Sequence, residues 1–159
     1  MKLYNSLILI AFAIFSISIT AEVNHSKAIS QDAALKLSDY GFFTNLSKQI
    51  PTNGVLPYDL NSALFSDYAD KLRFVYVPAG GFAEYHPDEV FDFPTGSVLI
   101  KTFAYLNDFP ESELDAQLLE TRLLIRNDDG WKNVSYIWNK EQTDAYKSIA
   151  GKTISTQFI

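Results

Sequence analysis

The fold is decided by residues 117–138, which read QLLETRLLIRNDDGWKNVSYIW. Apolar and polar residues alternate on both sides of a short polar segment, which is typical of two half-buried strands joined by a tight turn. A two-residue turn at Asp129 and Gly130 predicts a type I′ hairpin that pairs Ile125 with Val134. The centre of the chain is therefore expected to form an antiparallel sheet.

Two more strands are predicted before this hairpin. Residues 72–77 end at a Pro-Ala-Gly-Gly segment that cannot continue a ladder, and residues 97–106 lie between a Pro-Thr-Gly turn and an Asn-Asp pair. The second segment is largely apolar on both faces, which predicts a central strand covered on both sides. Lys101 is its exceptional residue.

Helices are predicted near each end of the mature chain. Ser30 is a suitable N-cap and Gly41 a suitable stop for a helix over residues 30–41. Asn139, with Gln142 three residues later, resembles a capping box and predicts a helix over residues 139–150. The expected fold class is therefore mainly β (α+β), an antiparallel sheet or sandwich with a helix near each end.

The N-terminus has the layout of a cleavable signal peptide. One basic residue, Lys2, precedes an apolar stretch of about 13 residues, which is shorter than the ~20 residues needed to span a bilayer. The expected organisation is a signal peptide over residues 1–21, a flexible start over residues 22–29 and a single β-rich domain over residues 30–159. We expect a periplasmic or secreted protein that does not contact a membrane after cleavage.

Composition excludes several classes of function. The formal net charge is −6, and removal of Lys2 with the signal peptide changes it to −7, which argues against binding to nucleic acids or anionic membranes. The chain contains no cysteine. It therefore has no disulfide, thiol nucleophile, zinc ribbon, iron–sulfur cluster or covalent haem attachment through paired cysteines.

No catalytic, cofactor-binding or metal-ligating residue is predicted. Neither of the two histidines has an evident orienting partner in the sequence, and no Gly-x-Ser-x-Gly motif occurs. His86 precedes Asp88 and Glu89 in an expected exposed turn, where a loose cation site is the less favoured alternative. A hydrolase that uses the aspartates near Asp67 is a third and weakest functional hypothesis.

A set of polar residues admits two interpretations. Those around Asp67 either line a cleft that binds a sugar or a partner, or form a structural polar network that fixes an irregular loop to the sheet. Lys101 is either a functional lysine with a depressed pKa or part of the same kind of network. We favour the network, because buried charges need partners. In it Asp67 pairs with Lys71 or Arg73, and Lys101 pairs with Glu120. The full set is Asp59, Asn61, Asp67, Lys71, Arg73, Lys101, Glu120 and Arg122.

Aromatic residues suggest an alternative function. Three side chains are expected to be exposed and could stack on sugar rings, as in a carbohydrate-binding module. These are Tyr58, Tyr68 and Trp131. Trp138 is predicted to face inward and Phe65 to lie in the core.

Sequence motifs along most of residues 35–151 resemble a family of exported bacterial di-haem c-type cytochrome-like proteins of uncharacterised role. The motifs are LSDYGFF (37–43), VLPYDLN (55–61), LFSDYA (64–69), RFV (73–75), FPTGSVLIKTF (93–103), ETRLL (120–124), GW (130–131) and YIWNKEQTDA (136–145). The region corresponds to the N-terminal, non-haem part of the longer relatives. There it is followed by Cys-x-x-Cys-His motifs, and some relatives are joined to sugar-dehydrogenase-like propellers.

The resemblance implies an exported, non-catalytic domain associated with a periplasmic cytochrome-like electron-transfer protein. Because the chain has no cysteine, the domain is expected to bind no haem itself, and its expected partner is a haem-bearing domain or cytochrome. The sequence stops at Ile159, shortly before the first haem motif of the relatives. It is therefore expected to be truncated at its C-terminal end, with a free-standing domain as the alternative.

Overall fold

The computed structural model describes residues 22–62, 64–65, 69–106, 116–150 and 153. The predicted signal peptide lies outside these ranges. Residues 107–116, whose acidic composition predicts an exposed loop, lie outside them apart from residue 116. So do most of residues 152–159, whose sequence predicts the start of another strand. None of the helices in the described part of the chain is long and apolar enough to cross a membrane.

The chain is mainly β, as predicted. Six strands form an antiparallel meander in the order β3-β4-β5-β6-β7-β8, and β1 and β2 form a separate two-stranded sheet. The strands are β1 Phe43–Asn45, β2 Ile50–Pro51, β3 Val55–Pro57, β4 Asp70–Tyr76, β5 Val98–Leu106, β6 Ala116–Asn127, β7 Gly130–Trp138 and β8 Ala145–Ser148. The two strands predicted before the hairpin correspond to β4 and β5.

The central hairpin forms, but its predicted register is wrong by two residues. Asn127 pairs with Gly130, so Ile125 lies opposite Lys132 and not opposite Val134. The reason is that Gly130, with φ 123°, ends the turn and does not lie at its centre. A shift of two residues keeps every side chain on its predicted face.

A β-bulge changes which leucine of β6 enters the core. The pairing of β5 with β6 shifts between Phe103 and Ala104, so that Ala104 lies opposite Leu118. Leu118 is therefore buried and Leu119 is only half-buried, whereas simple alternation places Leu119 inside.

The helix predicted at residues 30–41 is wrong in extent. Only Leu37–Tyr40 form a helix, of the 3₁₀ type, and Gly41 ends it in the left-handed conformation as predicted. Long-range bonds replace the helical bonds of the preceding residues: the Tyr136 hydroxyl donates to the Ala34 carbonyl (2.9 Å), and the Ala34 N–H donates to the Tyr40 hydroxyl (3.1 Å).

The helix predicted at residues 139–150 does not form. A turn leads instead into β8, which pairs with β7. Gln142 has φ 55° and its side-chain amide binds both backbone groups of Leu118, accepting from the N–H at 2.7 Å and donating to the carbonyl at 3.1 Å. These tertiary bonds to β6 override the local capping pattern.

The segment expected to be a flexible start contains the short helix α1, His25–Ala28. Ala28 is fully buried, and the Asn24 N–H donates to the Tyr40 carbonyl at 2.8 Å. Gly96, with φ 87°, lies so close to α1 that a Cβ atom there would approach the His25 ring to 2.6 Å. This segment is therefore part of the packed fold.

The core lies between the sheet and the N-terminal segment. Phe43 packs edge-on against Phe74, and Tyr40 against Tyr136. A chain of buried hydrogen bonds crosses the sheet beneath them: the Trp138 indole donates to Thr121 (3.0 Å), Thr121 shares a bond with Thr102 (2.8 Å), and Thr102 donates to Gln49 (2.7 Å). These bonds satisfy polar atoms that are costly to bury unpaired.

Candidate functional site

The two faces of the six-stranded sheet have different environments. The face toward the N-terminal segment, here called the inner face, is buried. The opposite, outer face carries the alternate side chains of each strand. The loop after β3 contacts the outer face near β4, and most other outer-face side chains are half-buried or exposed. The outer face is therefore the candidate functional surface.

Four aliphatic residues form an apolar row across the outer face. They lie opposite one another on β3, β4, β5 and β6, in the order Leu56, Val75, Leu99 and Leu124. Leu56 is 63% exposed and Leu124 is 41% exposed. A solvent-facing side of an antiparallel sheet normally presents polar residues at such positions, so this row is unusual for a face that meets only water.

Three cations form a second row directly beside the apolar one. Lys101 on β5 lies opposite Arg73 on β4 and opposite Arg122 on β6. Residues directly opposite in a ladder point to the same side of the sheet. The side chains of Arg73, Lys101 and Arg122, here called the cationic row, therefore share the outer face.

The predicted direct pair between Lys101 and Glu120 does not form within the 4 Å limit of a salt bridge in the described part of the chain. The register places Phe103 opposite Glu120. Glu120 binds Arg122 with both carboxylate oxygens, each at 2.9 Å. Lys101 instead lies over the ring of Phe103, with Nζ 4.8 Å from its centroid, and the Arg122 guanidinium lies over the same ring at 4.8 Å.

This arrangement shifts the pKa values of Lys101, Glu120 and Arg122. Partial burial lowers the pKa of Lys101, and the nearby charges of Arg122, Arg73 and Lys71 lower it further, against the opposing charge of Glu120. A lysine with a depressed pKa among like charges marks a position where an added anion would be stabilised.

Glu120 and Arg122 stabilise each other's charged forms. Burial raises the pKa of Glu120, but hydrogen bonds from Arg122 and Ser135 and the positive charges of Arg122 and Lys101 outweigh it, so the pKa lies below its ordinary value. The hydrogen bond to Glu120 raises the pKa of Arg122. The charge of Glu120 is therefore paired with Arg122.

Arg73 and Lys71 hold the loop that follows β3. The side chain of Arg73 is only 7% exposed and lies 3.6 Å from a carboxylate oxygen of Asp59, which is itself 95% exposed. Lys71 donates to the carbonyl of Leu64. Asn61 is exposed. Asp67, the predicted partner of these cations, lies outside the described residues.

The predicted stacking residues do not form one platform. Tyr58 follows β3, and its N–H donates to the Arg73 carbonyl, whereas Trp131 lies at the start of β7. Four strand steps of ~4.8 Å separate β3 from β7, so the two residues belong to strands about 19 Å apart. Tyr68 lies outside the described residues. Trp138 faces inward as predicted, but Phe65, expected in the core, is 69% exposed.

Trp131 belongs instead to an aromatic strip that the sequence did not reveal. Its ring packs against Phe93 (5.8 Å between centroids), and the contacts continue through Phe91 to Tyr85. An isolated antiparallel bridge between Glu84 and Asp92 folds this segment back on itself. Recognising it from sequence would have required detecting that bridge inside a segment rich in turn residues.

Comparison with known proteins gives no relative. No family model, curated protein or solved structure matches this chain. Function is therefore inferred from the residues, their geometry and the sequence resemblance.

Within the described ranges, no group of three or more His, Asp or Glu side chains is placed to hold a metal ion. His86 lies in an exposed turn, and His25 packs near Tyr76, whose hydroxyl is 3.4 Å from its Nδ1. The outer face can bury apolar surface and receive negative charge, which are properties of a binding surface.

Proposed function

We propose that this chain is an exported, non-catalytic domain of a cytochrome-like electron-transfer protein, that it binds no haem itself, and that it docks on the haem-bearing part through the outer face of its sheet. The open outer face is the single observation that carries this proposal. The sequence resemblance supplies the class of partner.

Apolar burial is the first argument for docking. Leu56 and Leu124, at the two ends of the apolar row, are 63% and 41% exposed. Burying apolar surface yields roughly 25 cal/mol per Å², so a second domain placed on this row would gain from covering it. Contiguous exposed apolar patches of this kind commonly mark interaction sites.

Rigidity is the second argument. The rows are built on four consecutive strands, β3 to β6, whose inner faces are fixed by the core. A surface on a packed sheet loses little conformational entropy when a partner binds, in contrast to a loop surface. The outer face is therefore preorganised for docking.

The test is direct association with a haem-bearing homologue. Mature chain would be titrated with the homologue by sedimentation or calorimetry, and a complex in the micromolar range is expected. Leu124→Ser should weaken it, whereas Leu35→Ser, at an exposed leucine of the N-terminal segment, should not. Absence of a complex at high micromolar concentration would contradict the proposal.

A carbohydrate-binding module is the second candidate, and the aromatic strip favours it. Trp131 is 43% exposed, and its ring is the first of a series of contacting rings that includes Phe93, Phe91 and Tyr85. Aromatic faces stack on sugar rings while their polar edges bind hydroxyl groups. Glycan-array or calorimetric binding that is lost in Trp131→Ala and kept in Tyr58→Ala would support this candidate. Binding that survives alanine at Tyr58, Tyr68 and Trp131 together would remove it.

A further inference from the structure

An excess of positive charge is concentrated on the outer face of an acidic protein. The chain carries a formal net charge of −6, yet Lys71, Arg73, Lys101 and Arg122 come together on three neighbouring strands. The described carboxylates that face them are Glu120, bound to Arg122, and Asp59, near Arg73. Four cations therefore share two carboxylates.

Of the two cations without a carboxylate partner in the described ranges, Lys71 donates to the carbonyl of Leu64, and the other is Lys101. It occupies the middle of the cationic row, and its ammonium lies over the Phe103 ring. Cation–π contact at an exposed site compensates a lysine charge only weakly. A further anion at this position would remove like-charge repulsion that the fold leaves in place.

We propose that the cationic row is a recognition site for carboxylate side chains of an acidic segment on the docking partner, with Lys101 as its central contact. This inference rests on the proposed docking role of the outer face. Because Arg73 is only 7% exposed, the accessible cations of the row are Lys101 and Arg122, whose strands lie one step of about 4.8 Å apart. Neighbouring acidic side chains of an extended segment that crosses the strands can span this distance.

The surroundings of the row favour protein carboxylates over phosphate-rich partners. The apolar row lies immediately beside it, and both Lys101 and Arg122 cover an aromatic ring. Such a mixed surface matches a partner segment with acidic and apolar residues. The negative charge of the whole chain opposes polyanions such as nucleic acids.

The test uses a tetraglutamate peptide as the probe, with tetraglutamine and inorganic phosphate as comparison ligands. We expect saturable, salt-sensitive binding of tetraglutamate in the millimolar range, read from amide chemical shifts on β4, β5 and β6. Lys101→Gln should weaken binding about tenfold, as expected for loss of one close charge contact. Lys101→Arg should retain it, and Lys140→Gln, at an exposed lysine, should leave it unchanged. Circular dichroism would verify that each variant folds.

Three results would overturn the carboxylate site: no saturable binding, equal binding in Lys101→Gln, or phosphate binding as strong as that of tetraglutamate. Failure of the carboxylate site can be distinguished from failure of the proposed function. If the haem-bearing homologue binds wild type and Lys101→Gln equally well, docking stands and the carboxylate site fails. If tetraglutamate binds at the row but the homologue does not, the site stands and the proposed partner fails.

Discussion

Lys101 on β5 lies directly opposite Arg122 on β6, so two cations occupy neighbouring positions on the outer face of the sheet. Arg73 lies on the other side of Lys101. Each of these relationships follows from the strand register, which places the three side chains on the same face of the sheet. The fold thus keeps a local charge repulsion at the surface that we assign to docking.

Replacing Lys101 by methionine should stabilise the free domain near neutral pH. The lowered pKa of Lys101 means that the unfolded chain binds this proton more tightly than the folded chain. The lowered pKa therefore reduces the free energy of unfolding of the wild-type protein near pH 7. This loss of stability disappears as the pH rises toward the ordinary lysine pKa of 10.5. Thermal unfolding should show a rise of about 2–5 °C for Lys101→Met near pH 7.

The control for this prediction is Lys140→Met, at an exposed lysine whose replacement should change the melting temperature little. A melting temperature of Lys101→Met equal to or below that of wild type near pH 7 would contradict the prediction. So would a difference that grows at high pH.

Replacing Glu120 by glutamine should destabilise the domain, with the opposite pH dependence. The lowered pKa of Glu120 gives a stabilising contribution that is present above its ordinary value of 4.5 and lost as the pH falls through the lowered folded-state value. We expect Glu120→Gln to lose about 1 kcal/mol near pH 7. Urea unfolding at neutral and acidic pH measures it, with Glu141→Gln as the exposed control. A loss that persists unchanged at low pH would show a different cause.

The Gln142 amide should stabilise the turn between β7 and β8. Removing it leaves the Leu118 N–H and carbonyl without their partner, which costs about 1–3 kcal/mol. Two variants separate the amide from the backbone: Gln142→Gly loses the amide but tolerates φ 55°, whereas Gln142→Ala also strains the backbone. Chemical unfolding should rank wild type above Gln142→Gly, and Gln142→Gly above Gln142→Ala. Equal stability of all three would refute the role of the amide.

Gly96 should be required for the docking of α1. An alanine Cβ there would meet His25 at 2.6 Å and Ile29 at 3.0 Å, in addition to the strain of φ 87°. Gly80 has a similar φ of 81°, and a Cβ atom added to it would meet nothing within 4 Å, so Gly80→Ala carries the strain without the clash. We expect Gly96→Ala to be less stable than Gly80→Ala by about 1–2 kcal/mol. Equal unfolding free energies of Gly96→Ala and Gly80→Ala would indicate that α1 can move away from residue 96 without loss of stability.

The strands were predictable because their signals are local. Alternation around Leu123 and Val134 and the apolar run of β5 identify strands without knowledge of their partners. The two helices failed because the decisive bonds join residues far apart in sequence, such as Gln142 with Leu118 and Tyr136 with Ala34. A local pattern cannot indicate bonds of this kind.

The candidate site was predictable only in part. Lys101 was recognisable as an exceptional residue in an apolar strand, but its neighbours depend on the register of three strands. Long connections join these three strands, so no tight turn indicates their register, and the bulge in the pairing of β5 with β6 has no distinct sequence signal. For the same reason Glu120 was assigned to Lys101, whereas it binds Arg122.

Lysine labelling in the complex tests the central claim most directly. Mature chain would be acetylated with and without the haem-bearing homologue, and the modification of each lysine would be measured by mass spectrometry. If the outer face is the docking surface, the homologue should protect Lys101 from acetylation. The exposed Lys140 and Lys48 should remain as reactive as in the free chain. Unchanged labelling of Lys101 in a sample where the homologue is demonstrably bound would contradict the account.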